Sequence, residues 1–127
     1  MRISFSFESY FAAVVKKDAA ALRTFFREDA VINWHNTRER FDLCGIIRAN
    51  CDYPGEWRGE IEREYRIGDT VIAAVRVWSA TAPSLSFHCC SFIQLEDEMI
   101  VQIDEYWGDD GEPPEWRKDC SEKSPNK

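Results

Sequence analysis

The run Glu105-Tyr106-Trp107 sets a carboxylate beside two aromatic side chains, and a guanidinium such as that of Arg76 and an imidazole such as that of His88 are groups whose chemistry complements it where the fold brings them together. Among aromatic neighbours the charged form of a carboxylate is disfavoured by desolvation, and a nearby guanidinium favours it again. Glu105 poised in that way can hold a water or take a proton from a carbon acid, with Arg76 orienting it and His88 as a second acid or base. The same residues also make a buried ion pair of purely structural meaning, with His88 hydrogen-bonded beside it. Cys51, His35, His88 and Glu105 are metal-capable types but show no close ligand spacing, so no metal site is expected. The cysteines at 44, 51, 89, 90 and 120 are odd in number and contain no CxxC pair, which points to free thiols in a reducing compartment.

The elements that must position these groups follow from periodicity. Phe7, Tyr10, Phe11, Val14 and Val15 form the stripe of an amphipathic helix closed by Lys16 and Lys17. Asp18 can cap a second short helix, AAALRTFF, with Leu22, Phe25 and Phe26 turned inward. AVINWH, residues 30–35, reads as a strand, and Arg38, Glu39 and Arg40 as a charged loop. Asp42 can cap a third helix to about Asn50 with Leu43, Ile46 and Ile47 buried, ended by the turn Tyr53-Pro54-Gly55. From Trp57 to Trp107 the chain reads as a four-strand meander with turns at Gly68-Asp69 and Glu96-Asp97-Glu98. The expected fold is α+β, three helices on one face of a curved antiparallel sheet over residues 1–108, followed by an acidic, proline-containing tail over 109–127.

Composition narrows the function classes. The chain has 127 residues, enough for one domain with its own core, and a net charge of −7. An acidic balance disfavours nucleic acid and anionic membrane surfaces, which are bound through Lys and Arg. The longest apolar run, Tyr10 to Val15, is far below the roughly twenty residues that span a bilayer, and Ser4, Ser6, Glu8 and Ser9 interrupt any secretory signal. A cytoplasmic protein is expected.

The element order, the stretches W34-H35-N36-T37 and RANCDYPGEW, and the ending QIDEYWGDDG resemble the nuclear transport factor 2-like superfamily: ketosteroid isomerases, SnoaL-like polyketide cyclases and limonene epoxide hydrolases. The resemblance covers about residues 5 to 108 and implies a cone-shaped cavity between the helices and the concave sheet face. It implies that Glu105-Tyr106-Trp107 matches the epoxide hydrolases' final acid and aromatics, so that Val101, Ile103, Glu105 and Trp107 point inward. The same comparison turns His88, Cys90 and Phe92 inward, then Arg76 and Trp78, with Trp34 and Asn36 in the places of the family's pocket Tyr and Asn. Phe87, Cys89, Ile93, Asp104 and Tyr106 then face outward. Trp78 stands where the epoxide hydrolases carry a second acid, so epoxide opening does not transfer, and neither does steroid isomerisation.

Glu105, His88 and Arg76 are thus the candidate catalytic residues, and Trp34, Asn36, Trp78, Phe92, Ile103 and Trp107 the candidate wall for a small apolar molecule. No cofactor is implied. Three functions remain open: an isomerase, cyclase or lyase with Glu105 as general base; a non-catalytic binder of a hydrophobic metabolite; and an interaction module. Apolar residues on the outer face predict a homodimer through that face.

Overall fold

The computed structural model describes residues 3–124; Met1, Arg2 and the last three residues of the expected tail lie outside the described residues. Helix α1, Phe7–Lys16, starts where Ser6 accepts a hydrogen bond from the Ser9 N–H (3.2 Å) and ends at Lys17 in the left-handed conformation (φ 57°). Asp18 caps α2, which is shorter than predicted: it covers only Ala19–Arg23, and Phe26 instead opens strand β1, Phe26–Trp34. The cause is tertiary, since Phe26 pairs with Ile100 and the Phe25 carbonyl accepts from the Ile100 N–H (2.9 Å). The predicted charged loop contains a short strand β2, Glu39–Phe41, antiparallel to β1. Helix α3, Leu43–Cys51, is capped by Asp42, whose side chain accepts from Gly45 N at 2.7 Å.

The four long strands are β3 (Trp57–Ile67), β4 (Thr70–Ser79), β5 (Ser86–Glu96) and β6 (Met99–Asp109). They form the predicted meander, and the whole curved sheet has the order β2-β1-β6-β5-β4-β3. Every pairing is antiparallel except β1 with β6, which the crossover through α3 and the meander makes parallel. Beyond β6, a 3₁₀ helix spans Glu115–Cys120 and buries no side chain.

Two bulges in the meander set its side-chain faces. On β3, Glu62 is an extra residue between the pairs Ile61–Val75 and Arg63–Ala74. On β6, Val101 is extra between Leu95–Ile100 and Gln94–Gln102. Ile100 and Ile103 therefore both point to the helix side, where they and Ile93 and Ile32 are fully buried. Each such side chain contributes about 1.5–3 kcal/mol by leaving water. The helices lie on this face, and Phe11 of α1 comes so close to β3 at Gly59 that a Cβ there would sit 2.6 Å from its ring. Among the described residues no helix is long and apolar enough to cross a membrane.

Candidate active site: a cavity around Glu105

Three adjacent strands bring the central group together. In the register, Trp34 of β1 lies beside Glu105 of β6, and Ser91 of β5 lies on its other side. Residues directly opposite share a sheet face, so all three point to the helix side. Trp34 Nε1 donates to Glu105 Oε1 (3.0 Å), Ser91 Oγ donates to Oε2 (2.6 Å), and the Cys89 thiol lies 3.8 Å from Oε2. They border a cavity of about 370 Å³ closed on the helix side by Phe7, Tyr10 and Phe11 of α1 and Ile46 and Ile47 of α3. Trp107, Phe87 and Trp57 continue the wall toward the opening, where Lys17, Thr37, Glu39, Asn50 and Asp109 are polar residues. Lys17 is engaged there, its ammonium donating to the carbonyls of Tyr53 and Gly55 (2.6 Å to the latter).

The electrostatics follow from burial. Desolvation raises the Glu105 pKa above the ordinary carboxylate range, while the hydrogen bonds from Ser91, Trp34 and Cys89 favour the anion and oppose the rise. The Tyr10 phenol is pushed well above its usual value by burial and then by the Glu105 charge. The Cys89 thiol rises for the same two reasons, in the same order. Phenol and thiol thus stay protonated, and neither is a nucleophile at neutral pH.

The structure brings together only part of the predicted set. Trp34, Glu105 and Trp107 line the cavity. Ile103 points inward but is sealed in the core away from the cavity. Asn36 is exposed; it clasps the Trp107 backbone, its Oδ1 accepting from the Trp107 N–H (2.9 Å) and its Nδ2 donating to the Trp107 carbonyl. His88, Cys90, Phe92, Arg76 and Trp78 face the other side of the sheet, and Phe87, Cys89 and Ile93, expected outside, face in. The physical reason is the bulge. In an unbroken ladder Glu105 would oppose Cys90 and Trp107 would oppose His88; with Val101 extra they oppose Ser91 and Cys89. A one-residue slip reverses every side chain of the partner strand, and Arg76, paired with His88, reverses with it.

The displaced residues form a separate polar group on the outer face. His88 sits between Asp110, bonded to its Nδ1, and Glu62, 3.2 Å from its Nε2. Arg76 lies over the Trp78 ring (4.7 Å) with its Nε 3.9 Å from Asp110. Burial alone would lower the His88 pKa, but the hydrogen bonds and charges of Asp110 and Glu62 outweigh it and raise the value. A raised folded-state pKa stabilises the fold below the unfolded value near 6.5, and that contribution is lost as pH rises through the folded value. His88→Gln is accordingly expected to lower the melting temperature more at pH 6 than at pH 9; an equal loss at both would show that the charge of His88 holds nothing together.

Tyr10, Ser91, Cys89 and Phe87 are among the cavity residues that sequence reasoning missed. A signal for the last three existed: Ile100 and Ile103, three apart in a strand, cannot share a face under strict alternation.

The SnoaL-like domain model matches residues 7–103. A search of the curated proteins finds no match. Among solved structures, a candidate ketosteroid isomerase from Kribbella flavida is 21% identical, with TM-score 0.78 over 93% of this chain and 86% of that one. A candidate polyketide cyclase from Sinorhizobium meliloti is 19% identical, with TM-score 0.67 over 79% and 92% of the two chains. An LEH-like epoxide hydrolase from M. tuberculosis is 16% identical, with TM-score 0.64 over 80% and 79%. At such identities the likeness is one of fold, that of the nuclear transport factor 2-like superfamily. With the family match extending over most of the chain, and over every element from α1 into β6, this protein belongs to the SnoaL-like domain family.

Proposed function

We propose that the chain binds a small, largely apolar molecule in the cavity and acts on it with Glu105 as general base, in a reaction of isomerase, cyclase or lyase type. The observation that carries this reading is a half-buried carboxylate facing an apolar cavity, near a thiol and a phenol that both stay protonated. Glu105, whose affinity for a proton burial raises, is then the group of the inner wall that can accept one. Structural neighbours of isomerase, cyclase and epoxide hydrolase type support a catalytic use of this fold. His88 and Arg76 have no part in the proposal, since they lie across the sheet from the cavity. A cytoplasmic setting suits the exposed thiols of Cys44 and Cys120.

The molecule that copurifies with the protein, released by denaturation and identified by mass spectrometry, supplies the test substrate. Glu105→Gln is expected to lower its turnover by about 10²-fold or more while still binding it. Turnover retained in that variant would remove the catalytic assignment. Absence of turnover in the wild type would instead leave a second reading, a non-catalytic hydrophobic-ligand-binding or dimeric interaction module of the same fold, and for the latter the outer sheet face is the favouring observation. Tyr65, Phe92 and Tyr106 stand exposed there, and a homodimer through this face would cover them.

A further inference from the structure

The charge inside the cavity has no counterpart. Among the described residues no cation pairs with Glu105, whose carboxylate is held by Trp34, Ser91 and Cys89 alone. All of these donate, an arrangement suited to an anion. The opening adds Glu39 and Asp109, and its one ammonium, that of Lys17, is turned to backbone carbonyls. Beside Glu105 the wall carries the aromatic side chains of Trp34 and Tyr10, with Trp107 next along β6. Aromatic side chains around a negative charge make a site for a cation, because ring faces attract positive charge most strongly where water is excluded. A carboxylate or phosphate ligand would instead bury like charge against Glu105, and a neutral one would leave the anion unpaired.

Resting on the reading that this cavity takes a small, largely apolar molecule, we propose that the molecule carries a protonated amine, seated against Glu105 among the aromatic side chains. Oε1, which accepts from Trp34 alone, keeps a lone pair for an ammonium N–H. The charged end then lies deep and the hydrocarbon body fills the space toward Val77 and Ile46.

Cyclohexylmethylamine and cyclohexylmethanol, alike in shape and different in charge, test this by calorimetric titration at neutral pH. The wild-type protein is expected to prefer the amine by more than about tenfold. Glu105→Gln removes that preference while changing alcohol affinity by less than about threefold, and Glu105→Asp, which keeps the charge, keeps the preference. Should the wild type bind the alcohol as well as the amine, the proposal is overturned and the apolar cavity reading stands. A preference undiminished in Glu105→Gln also overturns it, assigning the selectivity to the opening. If neither compound binds the wild type, the cavity reading fails and the proposal fails with it.

Discussion

Deletion of Asp104 is expected to destabilise the protein by more than about 4 kcal/mol and to abolish ligand binding in the cavity. Residues 102–109 of β6 pair one-for-one with β5, so a residue lost among them must be made up elsewhere. Either residues 105–109 slip by one along β5, turning Glu105 and Trp107 to the outer face, or the bulge is used up and Val101 moves opposite Gln94, turning Gln102 inward and the fully buried Ile103 outward. Loss of a buried isoleucine costs about 2–5 kcal/mol, and misplaced polar groups add to either outcome. Deletion of Val101, the residue by which β6 exceeds β5, leaves Ile100 opposite Leu95 and Gln102 opposite Gln94 and is expected to cost far less. Urea denaturation followed by tryptophan fluorescence compares the two. Equal midpoints would mean that the register of β6 along β5 does not set the faces of the sheet.

Ser91→Ala should weaken the fold by about 1.5–3 kcal/mol at neutral and higher pH, the worth of a hydrogen bond to a charged group. Ser91 Oγ donates to the buried Glu105 carboxylate at 2.6 Å, and the small side chain leaves little room for a replacement donor. Because burial already raises the Glu105 pKa, the neutral acid contributes stability below the unfolded value of about 4.5, and that contribution is lost as pH rises through the folded value. Removing a donor to the anion raises the folded value further. The deficit of Ser91→Ala relative to wild type should therefore shrink as pH falls through the raised folded values and be smallest below about 4.5, where both proteins hold Glu105 neutral. In a Glu105→Gln background the neutral side chain should make the same change cost less and remove its pH dependence. A deficit constant across pH would show that Ser91 acts through packing and not through the carboxylate.

Both predictions turn on the one feature that alternation reading does not see. The stripe of α1, the caps at Asp18 and Asp42, and the Gly68-Asp69 turn were legible because each is a local signal, decided by residues within a few positions. The inward side of β6 was legible at Glu105 and Trp107. Register is not local: β5 acquires its faces from β6 through a pairing that one extra residue displaces. Thus Phe92 and His88 were placed in the cavity and Ser91 and Cys89 were not. The boundary at Phe25 and Phe26 was misread for a similar reason, since a helix-compatible pair of aromatics was claimed by Ile100, far along the chain. The expected partner of Glu105 suffered most, for Arg76 lies over Trp78 on the far side of the sheet.

The order of strands in the sheet has a consequence for how the molecule comes together. β6 is the last strand in the chain, yet it stands between β1 and β5. Until it docks, β2-β1 and the β5-β4-β3 meander are two separate sheet fragments with no hydrogen-bonded edge in common. The meander can form early because its turns are short; joining it to β1 requires closing a loop such as that between Trp34 and Glu105, 71 residues apart. The short turn at Asp97-Glu98 lets β6 pair with β5 first, and its docking on β1 then closes the sheet, sets Glu105 between Trp34 and Ser91, and completes the cavity wall. Assembly of the site and closure of the sheet are one step of folding.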